Sequence, residues 1–94
     1  MTKNPLRDLL SRLLWDPQAA PSDVEIGYVS RSPEGPVEVV KGDALVRVTR
    51  DYACFSIGGR EKWIPLHRIA FVREVASGKT LYVNPRHRHL AAFS

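Results

Sequence analysis

Apolar and polar positions alternate along this chain with two different periods. Leu6, Leu9, Leu10, Leu13 and Leu14 recur at the spacing that lines one face of an α-helix, while Arg7, Asp8, Ser11 and Arg12 fall on the other. Asn4 is a suitable N-cap, and Pro5 suits the first helical position, where its missing N–H loses no partner. The helix is expected to stop at Trp15-Asp16-Pro17, because a proline pushes the residue before it out of the α region. With Asp8 among the flanking charges, the leucine stripe reads as a face that docks on a sheet rather than on a membrane.

Beyond a loop at residues 17–21 the period becomes two. Residues 24–29 form a first expected strand, and the turn chemistry of Ser32-Pro33-Glu34-Gly35-Pro36 leads to a second at 37–40. Strands at 45–49 and 52–57 are joined around Arg50-Asp51, and Gly58-Gly59 turns the chain into a short segment at 62–64. Strands at 69–75 and 80–83, separated by Ser77-Gly78, complete the run. The fold class this predicts is α+β: an N-terminal amphipathic helix packed on a twisted antiparallel meander of about five to six short strands, which can curl into a small, partly open barrel. Residues 1–85 make a single domain in this reading, and residues 86–94 a basic, loosely docked tail.

Size narrows the function classes. A chain of 94 residues buries about 60–65% of its unfolded surface, so its core is modest and a small binding module fits better than a large enzyme. The single cysteine, Cys54, excludes an internal disulfide and a multi-cysteine metal site, which points to a reducing, cytoplasmic setting. No apolar run is long enough for a membrane span, and Arg7, Asp8 and Arg12 interrupt any secretory apolar core.

Charge is distributed unevenly. Residues 1–40 carry four basic and six acidic groups, whereas residues 41–73 carry seven basic groups against three acidic ones. With a sequence pI near 9.6 and ten arginines among the fourteen basic residues, an anionic partner such as RNA is the expectation.

Enzyme signatures are absent: there is no Gly-rich phosphate loop, no nucleophile elbow and no zinc-protease helix motif. His87 and His89 lie in the tail without a third ligand in view, so neither a metal nor another cofactor is expected. The informative stretch is Ile64-Pro65-Leu66-His67-Arg68-Ile69. Pro65 cannot donate to a strand ladder, so the strand entering there should end and Leu66-His67-Arg68 should form one tight turn. Ile64, Leu66 and Ile69 then anchor the turn while His67 and Arg68 project outward, a compact arrangement for holding a phosphate group. Arg31, at the end of the first strand, is a second phosphate candidate; Tyr28 and Trp15 are candidates for stacking on a base. Trp63 could stack as well, although large aromatics more often serve as packing anchors.

These residues carry a resemblance. The leucine-rich helix ending in Trp15-Asp16-Pro17, then Tyr28 to Arg31, Gly42 before a strand, and Ile64-Pro65-Leu66-His67-Arg68-Ile69 resemble the RNA cyclic group end recognition domain, a family of small archaeal and bacterial proteins. The resemblance covers residues 6–83. It implies a non-catalytic module that recognises RNA ends bearing a 2′,3′-cyclic phosphate in RNA processing or repair, alongside enzymes such as a ligase, a nucleotidyltransferase or a phosphoesterase. Position 30 is serine where the family is associated with histidine, and position 66 is leucine where tyrosine is common. The first departure removes a potential second histidine. Two alternatives stand beside this reading: an RNA-end phosphoesterase using His67 as general acid or base, and a protein-interaction module with a basic face.

Overall fold

The computed structural model describes residues 5–16, 20–30 and 37–85. Helix α1 spans Pro5–Trp15, with Leu6, Leu10 and Leu13 buried and the last helical bond running from the Asp16 N–H to the Arg12 carbonyl. Its apolar face docks on the strands as expected, and it is too short to cross a membrane. Asn4 lies outside the described residues, so the expected N-cap does too.

Among the described residues seven strands follow: β1 (Val24–Val29), β2 (Val37–Lys41), β3 (Leu45–Val48), β4 (Tyr52–Ile57), β5 (Arg60–Pro65), β6 (Ile69–Glu74) and β7 (Thr80–Val83). The short segment expected at 62–64 is a full strand, because all six residues of β5 pair with β4 across the Gly58-Gly59 turn.

The strands form two antiparallel sheets rather than one meander, ordered β2-β1-β6-β7 and β3-β4-β5. No closed barrel forms among the described residues. The chain leaves the first sheet through a 3-10 turn at Gly42–Ala44 and returns to it through a second at Leu66–Arg68. Pro65 explains the return: the ladder cannot continue through it, so the chain turns and β6 pairs with β1, about 45 residues earlier in sequence. Alternation showed which residues face inward, but a period of two carries no information about which strand lies alongside.

The core lies between the sheets and the helix, built from Leu6 and Leu10 of α1, Ile26 and Tyr28 of β1, Phe55 of β4 and Val72 of β6. Two glycines permit close approaches that the layout needs. A Cβ on Gly27 would fall within the ring of its register partner Phe71, and one on Gly42 would stand 2.5 Å from the Pro21 carbonyl oxygen. The second contact brings the Gly42–Ala44 turn against another 3-10 turn at Pro21–Asp23.

Candidate functional site

The turn at Leu66–Arg68 is held from three sides. Pro65, the last residue of β5, pairs with Tyr52, and the Leu66 N–H donates to the Asp51 carbonyl at 2.9 Å, which ties the turn to the β3–β4 hairpin. The Ile69 N–H donates back to the Leu66 carbonyl and closes the 3-10 turn. On the inner side, the Asn84 side-chain amide donates to the His67 carbonyl at 3.1 Å and the Ile69 carbonyl at 3.3 Å, while its backbone N–H donates to the Ala70 carbonyl at 2.8 Å.

Ile64, Leu66 and Ile69 are buried, His67 is exposed and Arg68 is half-buried. Asn84 is 6% exposed, the one buried polar side chain among the described residues. Its role went unread in the sequence, where the sole signal is an amide side chain directly after a strand and before Pro85.

Tyr28 lies beside this corner, in register with Ile69 across the β1–β6 ladder. It does not display its ring. The residue is 3% exposed; its ring stacks near Phe55, with centroids 6.4 Å apart, and Lys62 Nζ stands 5.2 Å from the ring centroid. With its surroundings filled in this way, Tyr28 offers its hydroxyl rather than a stacking face. That hydroxyl donates to Glu38 Oε2 at 2.6 Å, and Lys62 Nζ stands 3.5 Å from the same oxygen.

Burial, followed by the bond to Glu38, raises the Tyr28 pKa, and that bond in turn lowers the Glu38 carboxyl. Tyr28, Glu38, Val39, Val40, Ile57 and Lys62 line a cavity of about 330 Å³ that does not include His67 or Arg68.

Trp15 is not part of the corner. Trp15 is 81% exposed at the end of α1. Nearby Arg12 and Leu13 line a second cavity with Val24 and Glu74, which pair at the opposite end of the β1–β6 ladder from Tyr28 and Ile69, about 13 Å away along the strands. Arg31 lies outside the described residues, as do His87 and His89 of the tail. Residues that the sequence did not single out do reach the corner: Arg50 belongs to the hairpin turn whose Asp51 accepts from Leu66, and Tyr52 pairs with Pro65. The Thr49 hydroxyl accepts from the Tyr52 N–H at 3.1 Å and pins that turn.

The MJ1316 RNA cyclic group end recognition domain model matches residues 3–83, nearly the whole chain. This chain belongs to that family. UPF0248 proteins are its relatives: it is 34% identical over 76 residues to one from Pyrobaculum islandicum, covering 81% of this chain and 84% of that one. A UPF0248 protein of Pyrobaculum calidifontis is 37% identical over 76 residues, covering 81% and 92%, and one of Methanococcus vannielii is 29% identical over 77, covering 82% and 88%. No solved structure gives a significant match. In this RNA cyclic group end recognition domain the matched region contains His67 and Arg68 and ends one residue short of Asn84, whose side chain donates to the carbonyls of His67 and Ile69.

Proposed function

We propose that this chain is a non-catalytic RNA-binding module that recognises RNA ends, and that the terminus it takes is a 2′,3′-cyclic phosphate. The observation that carries the reading is the fixed corner, where one buried amide and one hairpin carbonyl hold the backbone while an exposed imidazole and an adjacent guanidinium stand on the same turn.

A cyclic phosphate has one negative charge and no terminal hydroxyl, so a small number of positioned donors suffices where a deep polyanion pocket would not fit so small a domain. In this reading His67 and Arg68 contact the phosphate, and Arg31, outside the described residues, is a further cation proposed for it. The family's description supports the choice of ligand. A place in RNA processing or repair in the cytoplasm, beside a ligase, nucleotidyltransferase or phosphoesterase, belongs to the same proposal.

The test is a titration with one RNA sequence carrying a cyclic phosphate, a 3′-phosphate or a 3′-hydroxyl. Tightest binding of the cyclic end is expected, and equal affinity for the 3′-hydroxyl end would overturn end recognition. Analysis of the recovered RNA separates recognition from catalysis: an unchanged end group is expected, and conversion of the cyclic phosphate would assign His67 an acid–base role instead.

A further inference from the structure

The three-stranded sheet has one face in the core and one in solvent, and the solvent face is organised. Leu45, Ala53, Phe55 and Ile64 point inward. The strand period therefore turns Tyr52, Cys54 and Ser56 of β4 outward, together with their partners Pro65, Trp63 and Glu61 of β5 and with Arg47 of β3, which pairs with Cys54. Cys54 is buried at the centre of the row from Arg47 to Trp63, while Tyr52 and Trp63 are each 44% exposed.

Three aromatic side chains are exposed among the described residues, and two of them share this face. Tyr52 and Trp63 occupy diagonal positions, since Tyr52 pairs with Pro65 and Cys54 with Trp63. Diagonal neighbours lie about 7–8 Å apart, which gives each ring room for a base of its own.

The face is also graded in charge. At its far end Ser56 pairs with Glu61, whereas at the other end β5 runs through Pro65 into the turn that carries His67 and Arg68, with Arg50 on the adjoining hairpin. Trp63 precedes Leu66 by three residues, about 10 Å of extended chain. Two exposed aromatics beside Arg47, leading into a basic corner, form the combination that holds single-stranded nucleic acid: rings for bases and cations for the backbone.

We infer that this outer face is the stacking platform for the nucleotides preceding the recognised end, with Tyr52 and Trp63 each taking a base and Arg47 a phosphate. The inference rests on the RNA-end reading above and adds a second subsite to it. It also assigns the stacking role to residues on the corner's own sheet, in place of Trp15 and the buried Tyr28.

The probe is a short 5′-labelled oligouridylate ending in a 2′,3′-cyclic phosphate, followed by fluorescence anisotropy. Tyr52→Ala and Trp63→Ala should each weaken binding roughly 5- to 150-fold, the loss that removing one stacked base brings, and Tyr52→Phe and Trp63→Phe should retain most of the affinity. Because Trp15 and Trp63 are the two tryptophans of the chain, a Trp15→Phe variant isolates Trp63, whose emission should be quenched as the oligonucleotide binds. Wild-type affinity in both alanine variants, with end preference intact, would overturn the platform and leave end recognition standing. No binding by the wild-type chain would overturn both. Trp63 emission that responds to protein concentration but not to RNA would give the face to a second copy of the chain and overturn the RNA assignment.

Discussion

The Tyr28 hydroxyl and the Glu38 carboxylate meet at 2.6 Å across neighbouring strands, and Lys62 of the opposite sheet stands 3.5 Å from the same carboxylate oxygen. Tyr28 and Glu38 are register partners in one sheet, Phe55 and Lys62 in the other. The rings stack where the sheets face each other, and the charges meet at the rim. Two buried rings and a solvated ion pair thus join the two sheets side by side.

This arrangement predicts a stability profile that falls on both sides of neutrality. The bond from Tyr28 lowers the Glu38 pKa below its ordinary 4.5, so the associated stability is present above that value and lost as pH falls through the depressed pKa. Burial raises Tyr28 above its ordinary 10.0, so stability linked to the neutral phenol is present below that value and lost as pH rises through the raised pKa. Burial raises Tyr82 likewise, in the same alkaline direction. Tyr28→Phe should cost about 0.5–1.5 kcal/mol in urea unfolding near neutral pH and bring the Glu38 carboxyl back toward its ordinary range, as read by carbon NMR. A variant with an unshifted profile would show that the bond contributes nothing to stability.

Gly27→Ala should destabilise the chain by about 1–3 kcal/mol, because the new methyl occupies the space of the Phe71 ring. Phe71→Leu in the same chain should recover part of that loss, so the two changes should be non-additive in a double-mutant cycle of denaturant midpoints. Additive losses would place the damage elsewhere.

Asn84→Ala removes both amide bonds to the corner, with an expected cost of about 1–3 kcal/mol for the carbonyls left behind. Asn84→Asp should be worse at neutral pH, since a carboxylate cannot donate to either carbonyl. Thermal unfolding reads the stability, and amide chemical shifts of residues 66–70 read whether the corner has moved. Unchanged shifts in both variants would show that Asn84 does not hold the corner.

Arg68→Ala and His67→Ala should weaken binding of cyclic-phosphate RNA while leaving the melting temperature nearly unchanged, because neither side chain belongs to the core. For Arg68→Ala the slope of log affinity against log salt should fall by about 1, the loss expected for one phosphate contact. An unaltered slope would place Arg68 away from the phosphate.

Local chemistry determined the elements. The leucine spacing and Pro5 marked α1, and period-two alternation marked β1, β4 and β7 at the residues where they form, since a residue's inward or outward direction depends on its immediate neighbours along the chain. Pro65 likewise announced the turn at Leu66–Arg68 before any partner was known, and the buried Ile64, Leu66 and Ile69 around an exposed His67 followed from it. The alternation also held a signal about Tyr28 that its chemistry obscured: a residue two beyond Ile26 and four beyond Val24 shares their inward face, and its ring is buried with them.

Tertiary contacts decided the rest. The pairing of β1 with β6, the division into two sheets, the hold of Asn84 on the corner and the placing of Tyr52 beside Pro65 all join residues whose sequence neighbourhoods do not refer to one another. A strand edge or a buried carbonyl accepts any partner of suitable geometry. Which one it meets is settled only when the whole core is packed.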